Sequence, residues 1–312
     1  MQHDTSSLPV TVISGYLGTG KTTLVNHLLR NAGGRRLMVL VNDFGELPID
    51  LDLIESVEGD TINLSNGCAC CSMGGDLFNA LVDVLDRSPR PDHLLIEASG
   101  VADPVRIANI ARAEPDLKLE SILSLADAKT VADMIDDPLV GKTVSHQLAA
   151  SDIILINKMD LVGTINRRQV TDLLSRAAPG VRTIETVFSG VPIDMALGIQ
   201  LPENPGKIIE EMTGTHSDIY LKWSTSTETR LNRDDFESLL GKLASQTLRL
   251  KGIVYFSNSE DAHIVQSVGN RCVFERSTES SFPGLGKTRL VAIGLKNEMD
   301  CSALDGIFRQ ML

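Results

Sequence analysis

Gly15-Tyr16-Leu17-Gly18-Thr19-Gly20-Lys21-Thr22-Thr23 follows a β-branched run, Val10-Thr11-Val12-Ile13, and opens into Leu24-Val25-Asn26-His27-Leu28-Leu29. Strand, glycine loop and helix thus succeed one another, and Gly15, Gly20, Lys21 and Thr22 fill the phosphate-loop pattern GxxxxGK[ST]. Glycines let the backbone curl until successive N–H groups point at one anion, and the helix that follows adds the positive end of its dipole. The predicted nucleotide contacts in this stretch are Gly15, Gly18, Thr19, Gly20, Lys21, Thr22 and Thr23. Lys21 is expected to reach the outer phosphates in a catalytic role, and the Thr22 hydroxyl to ligate Mg²⁺.

Working outward, apolar β-rich segments recur between helical patterns: Leu37 to Val41, His93 to Ile96, Ser121 to Leu125, Ile153 to Ile156 and Val181 to Val187. Helices are expected over Lys21 to Asn31, Asp76 to Leu85, Val105 to Arg112, Val140 to Ala150 and Asn166 to Ala178. That alternation predicts an α/β P-loop NTPase domain, a mostly parallel sheet flanked by helices on both faces. Between about Gly190 and Ser217 the chain turns to Pro192, Pro202, Pro205, Gly206 and Gly214, the texture of a connection. The expected division is therefore a nucleotide domain over 1–200, a linker over 201–217 and a smaller α+β domain over 218–312. In the last of these the pattern reads strand (Ile219 to Ser224), helix (Asp234 to Ser245), three strands between Lys251 and Glu275, a strand at Leu290 to Gly294 and a closing helix from Cys301.

A second nucleotide signature, Asn157-Lys158-Met159-Asp160, sits directly after Ile153-Ile154-Leu155-Ile156. In NKxD the aspartate accepts two hydrogen bonds from the guanine edge. Adenine cannot supply both donors, so a site built this way rejects it. GTP is accordingly expected over ATP, with Asn157, Lys158 and Asp160 at the base and Ser189, after the next strand, as a last contact. The third element, Leu94-Leu95-Ile96-Glu97-Ala98-Ser99-Gly100, is a buried-type strand ending in an acid and then a glycine. Glu97 takes the Walker B place and is expected to hold Mg²⁺ directly or through water. The N–H of Gly100 is placed to sense the γ-phosphate, which makes the segment from Gly100 to Pro104 a switch.

With 312 residues, 42% of them hydrophobic, the chain has ample material for two cores. Its formal charge of −12 argues against general affinity for nucleic acid or an anionic membrane, both of which require a basic face. No apolar run approaches the ~20 residues that span a bilayer, and the first residues do not resemble a signal peptide. Cytoplasm is the expected compartment. Three of the five cysteines crowd into Asn66-Gly67-Cys68-Ala69-Cys70-Cys71-Ser72. That is no disulfide framework, and in a reducing compartment it offers three soft thiolates to a metal such as Zn²⁺, leaving one position for a fourth ligand.

Together, the stretches GYLGTGKTTL (from Gly15), VNDFGE (from Val41), NGCACCS (from Asn66), EASGVADP (from Glu97) and NKMD (from Asn157) resemble the CobW family of P-loop GTPases, often described as metallochaperones. The resemblance extends to Arg249-Leu250-Lys251-Gly252 and Arg289 to Gly294, in what looks like that family's C-terminal domain. It implies a GTP-hydrolysing protein that binds a transition metal through Cys68, Cys70 and Cys71 and passes it to an apo-metalloprotein client under GTP control. Zinc is the first expectation; cobalt is second, through the family's association with cobalamin synthesis. A GTP-dependent activator or assembly factor of one metalloenzyme, of the nitrile hydratase activator type, and a zinc-sensing regulatory GTPase are the alternative readings. The C-terminal domain is expected to choose the client, with neither nucleic acid nor membrane as partner, and a homodimer is left open. Glu46 is either a fourth metal ligand or a catalytic, water-positioning group. The histidine-rich tract of many members is missing: the six histidines are scattered, which speaks against a storage role. Closure of residues 42–60 and of the loop after Glu97 on the γ-phosphate would bring the thiolates into metal geometry.

Overall fold

The computed structural model describes residues 7–41, 61–63, 73–199, 201, 208–211, 219–277 and 286–312. By their contacts these residues divide into a unit ending at Leu197 and one beginning at Gly198.

In the first unit the elements run β1 (Leu8–Gly15), α1 (Lys21–Arg30), β2 (Leu37–Val41), β3 (Thr61–Asn63), α2 (Met73–Leu85), β4 (His93–Glu97), α3 (Pro104–Ala113), β5 (Leu117–Asp127), α4 (Val131–Asp136), α5 (Gly141–Ala149), β6 (Ile153–Asn157), α6 (Thr164–Ala177), β7 (Arg182–Glu185) and α7 (Ile193–Leu197). Seven strands form one sheet in the order β3-β2-β4-β1-β5-β6-β7, and every pairing is parallel. Strands of such a sheet are covered on both faces, which is why β2, β4 and β6 are buried at every position and read as unbroken apolar runs. Helices take the complementary pattern. In α1 the buried apolar side chains are Leu24, Val25 and Leu28, one stripe of the helix. Asp103 starts α3 by accepting the Val105 N–H at 2.9 Å, with Pro104 following at the first helical position.

β1 lies between two strands that come later in the chain, β4 and β5, so the connections diverge at its C-terminal end. Such a switch point is where open α/β sheets bind ligands. Register brings the chemistry to that edge: Ile13 pairs with Glu97, Gly15 with Leu125, and Asp127 with Asn157.

The second unit contains β8 (Ile208–Glu211), β9 (Tyr220–Thr227), α8 (Arg233–Ser245), β10 (Arg249–Tyr255), β11 (Ala262–Val268), β12 (Arg271–Arg276), β13 (Thr288–Leu295) and α9 (Cys301–Arg309). Its six strands follow the order β12-β11-β10-β13-β9-β8, antiparallel throughout. A core of Trp223, Phe236, Leu243, Phe256, Leu304 and Phe308, among others, joins the sheet to both helices. Asn232 caps α8 through the N–H groups of Asp234 and Asp235. Asp300 caps α9 through those of Ser302 and Ala303. The buried Trp223 indole N–H is satisfied by Asp305 Oδ1 at 3.0 Å.

Four details differ from the sequence reading. Residues 208–211, inside the stretch expected to be a linker, pair with β9 as an edge strand. The six-residue helix α4, the five-residue helix α7 and the three-residue strand β3 went unread, since none is long enough to show a period.

Leu95, fully buried at the centre of β4, is the natural probe of the first unit: Leu95→Ala is expected to cost about 2–5 kcal/mol in urea unfolding. At the other end of that sheet Arg36 Nη2 meets Asp92 Oδ1 at 2.8 Å, and the guanidinium holds the Asp92 carboxyl below its ordinary value. A depressed carboxyl value stabilises the fold above the unfolded value of ~3.9, and that contribution is lost as pH falls through the folded value. Asp92→Asn should therefore lower stability slightly at pH 7, and the gap between the two proteins should narrow below about pH 4.

Candidate functional site

The loop between β1 and α1 turns on glycines with left-handed φ, Gly15 at 129°, Gly18 at 75° and Gly20 at 103°. At Gly20 a Cβ would stand 2.4 Å from Asn157 Nδ2 and 3.0 Å from Ser189 Oγ, so conformation and space both require glycine. Thr19 Oγ1 donates to Tyr16 O at 2.8 Å and Lys21 Nζ to the same carbonyl at 3.3 Å, which folds the loop onto itself. The first helical N–H groups then face outward beyond a glycine N-cap whose side chain cannot satisfy them, an arrangement suited to phosphate.

Thr22 Oγ1 donates to Glu97 Oε1 at 3.1 Å. Register had already put Glu97 beside the end of β1, and its carboxylate is 3% exposed. A hydroxyl and a buried carboxylate in contact are a hard oxygen donor set, and they fit Mg²⁺. Directly after Glu97 the chain runs close under the phosphate loop: a Cβ on Gly100 would meet Leu17 N at 2.9 Å and Leu17 Cδ2 at 2.4 Å. Gln147, from α5, holds that segment by donating Nε2 to Gly100 O at 3.1 Å and Ala102 O at 2.9 Å.

On the opposite flank Asn157 is buried and bridges three elements. Its Nδ2 donates to Thr19 O at 2.9 Å, while its Oδ1 accepts the Ser189 N–H at 2.9 Å and the Thr186 hydroxyl at 3.4 Å. Lys158, a non-glycine residue at φ 62°, extends Nζ to Gly18 O at 2.7 Å and to Asp127 Oδ2 at 2.6 Å. Left-handed backbone at such a residue persists only where its surroundings hold it, and here the ammonium is anchored twice while the Lys158 carbonyl accepts the Leu161 N–H at 3.0 Å. Asp160, two residues further on, is exposed at the same strand end.

The structure thus brings together Gly15, Gly18, Thr19, Gly20, Lys21, Thr22, Glu97, Gly100, Asn157 and Lys158 along the C-terminal edge of the sheet; Thr23, in the first turn of α1, is exposed. Ser189 differs from the expectation. It is fully buried at φ 54°, and its Oγ donates to Gly20 O at 3.1 Å, so the hydroxyl braces the phosphate loop instead of standing open to a base. Asp127 and Gln147 were missed by sequence reasoning. Neither lies in a motif, although Asp127 at the end of the apolar strand β5 carried the same strand-end signal as Glu97.

Glu46, Cys68, Cys70 and Cys71 lie outside the described residues, as do residues 42–60. Among the described residues no group of three His, Cys, Asp or Glu side chains is placed to hold a metal ion. Burial pushes the thiols of Cys272 and Cys301 up, Cys301 further by Asp305 and Asp300. Among the same residues no helix is long and apolar enough to cross a membrane.

Residues 9–185 match the family described as CobW/HypB/UreG, nucleotide-binding domain, and residues 221–312 match the cobalamin synthesis protein cobW C-terminal domain. The chain is 28% identical over 354 residues to the zinc chaperone CobW of a Sinorhizobium species, spanning 95% of each chain. It is 32% identical over 256 residues to zinc-regulated GTPase metalloprotein activator 1 of Dictyostelium discoideum, spanning 67% of this chain and 53% of that one. Among solved structures, the Zn(II)-bound YjiA GTPase from Escherichia coli aligns over 98% of this chain and 99% of its own at 21% identity, with a TM-score of 0.45.

Asn157→Ala would leave the Thr19 carbonyl and the Ser189 N–H without their partner. A stability loss of about 1–3 kcal/mol is expected, together with faster hydrogen exchange at the Ser189 amide and weaker nucleotide binding; an unchanged exchange rate would show that the bridge carries no load.

Proposed function

The chain belongs to the CobW/HypB/UreG family of P-loop GTPases, and from that premise we propose that it is a zinc metallochaperone in which the GTP state sets the affinity of a Cys68, Cys70 and Cys71 thiolate site. The observation that carries the reading is the Asn157 and Lys158 bridge from the guanine-type signature to the phosphate loop. One rigid edge then measures the distance from base to phosphates.

In this reading Lys21 leaves the Tyr16 carbonyl for the β- and γ-phosphates, and the N–H groups of residues 18–23 cradle them. Thr22 and Glu97 hold Mg²⁺, which when bound offsets the charge of the phosphate oxygens. Asp160 accepts two hydrogen bonds from the guanine edge while the Lys158 stem covers one face of the ring. Ser189 serves through Gly20 and Asn157. Gly100 presents its N–H to the γ-phosphate, and its close approach to Leu17 makes the loop after Glu97 sensitive to whether that phosphate is there. Glu46 either completes the metal site or positions the attacking water; its place in the sequence beside the first switch supports both roles equally. Hydrolysis is slow without a partner, because none of the motifs carries an arginine that would neutralise the transition state.

Zinc is cargo here, with cobalt the second candidate. Thiolates bind only after losing their protons, so zinc affinity falls with pH. The recipient is an apo-metalloprotein met through the C-terminal domain, and the setting is the cytoplasm. The names of the relatives support zinc; delivery to a client, as opposed to sensing, rests on the family reading.

Zinc affinity by chelator competition tests the proposal. With Mg²⁺ and a non-hydrolysable GTP analogue it is expected to be at least about 5-fold tighter than with GDP, and the gain should vanish in the Cys68/Cys70/Cys71→Ser triple variant. Equal affinities in the two nucleotide states would sink the coupling. In the same assays Asp160→Asn should weaken GTP binding on the order of 100-fold and improve xanthosine triphosphate, whose C2 carbonyl accepts where guanine donates.

A further inference from the structure

The turn after Glu97 holds an amide with nothing to bond. Ala98 N–H still donates to Ile13 O at 2.8 Å, so the chain keeps its place beside β1 as far as that residue. Ser99 O then accepts the Ala102 N–H at 2.9 Å and closes a turn with Gly100 and Val101 at its corners. Across the planar trans bond between them, Ser99 O and the Gly100 N–H point in opposite directions. Because the carbonyl is bonded into the turn, the N–H is directed out of it. Gly100 is buried, and among the described residues its N–H meets no acceptor. Buried backbone N–H groups without a partner are rare, and this one is left for a ligand.

What fixes the turn comes from α5. Gln147 is 1% exposed, and its Nε2 donates to Gly100 O at 3.1 Å and to Ala102 O at 2.9 Å. Both carbonyls can only accept, so chemistry requires the nitrogen of the carboxamide to face them. The residue itself is mounted elsewhere: its backbone carbonyl accepts the hydroxyls of Ser124, in β5, at 3.2 Å and of Ser151 at 2.7 Å. One position earlier, His146 Nε2 lies 3.1 Å from Asp103 Oδ1, the oxygen that also caps α3. A glycine left to itself samples more backbone conformations than any other residue. Here both peptide planes that flank Gly100 are fixed, the one before it through Ser99 O and the one after it through Gly100 O.

We propose that Gln147 is a positioning residue for the GTPase reaction: by holding Gly100 O and Ala102 O it aims the Gly100 N–H at the place of the γ-phosphate before nucleotide arrives. A donor set in advance costs no reorganisation when the phosphate binds or when charge develops on it. The proposal rests on the reading of Gly100 given above and adds the side chain that sets that amide. Its consequence is selective. GDP lacks the γ-phosphate, so Gln147 matters for GTP and hardly for GDP, whereas a side chain that only supports the fold would affect both.

Gln147→Met tests this, since it keeps the length of the side chain and cannot donate. It also removes Gln147 Oε1, a buried acceptor with no partner, which offsets part of the loss at the two carbonyls. Affinities for GDP and for a non-hydrolysable GTP analogue, each with Mg²⁺, are measured by calorimetry on the full-length protein and the variant, and hydrogen exchange at the Gly100 amide is followed by NMR. In the native protein the analogue, and not GDP, is expected to slow that exchange. In Gln147→Met, exchange over residues 100–102 should quicken without nucleotide, and affinity for the analogue should fall about 10-fold while that for GDP stays within about 2-fold. Equal losses for both nucleotides, or none for either, would overturn the role of Gln147 and leave the reading of Gly100 standing. Native exchange at Gly100 that the analogue does not slow would overturn that reading and the proposal with it, and failure to bind any guanine nucleotide would overturn the functional reading beneath both. Should Gln147→Met not fold, Gln147→Glu, of the same shape but with an ionised carboxylate that donates to neither carbonyl, is held to the same outcomes.

Discussion

Asn157 holds the nucleotide edge together. It is the last residue of β6, its side chain is buried, and it spends its donor on the phosphate loop and its acceptor on the turn that carries Ser189. A carboxamide inside a protein is tolerated only when such demands are met, and meeting them with backbone groups of two separate loops fixes both loops relative to one strand. Lys158 repeats the device one residue on, with Gly18 O and Asp127 as anchors. The phosphate loop thereby arrives shaped for its ligand, and little ordering remains to be done on binding.

Much of this was legible in the sequence for a definite reason. The glycines of the loop sit at left-handed φ values that few other residues adopt, so spacing alone exposes them. The strands read clearly because a parallel sheet buries both faces, and the caps at Asp103, Asn232 and Asp300 are short side chains placed where a helix begins. What escaped depends on neighbours distant in the chain. Gln147 looks like any polar residue in an amphipathic helix until the fold brings it against carbonyls 45 and 47 residues away. Ser189 was expected at a base because of what precedes it, yet the fold turns its hydroxyl inward to Gly20, 169 residues off. The strand β8 was hidden by prolines and glycines on either side, which signal a connection whether or not four residues between them find a partner.

The two units illustrate different ways of satisfying a sheet. The first covers both faces and leaves its chemistry at one edge, where strand ends deliver carboxylates, amides and a lysine to a common line. In the second, helices α8 and α9 meet the antiparallel sheet through a single core containing Trp223 and several phenylalanines. Its sheet also buries polar side chains, Arg249, Gln266 and Arg289 among them.

The strand order has a bearing on how the protein is made. β1 is synthesised before its sheet neighbours β4 and β5, and even the buried Thr11 to His93 contact spans 82 residues. At synthesis rates of 5–20 residues per second, β1 waits roughly 4–16 s before either edge can pair. During that interval a run of valine, isoleucine and threonine is offered to whatever else is in reach. A central strand whose partners follow roughly 80 residues later stays unpaired longer than one joined to its neighbour by a hairpin.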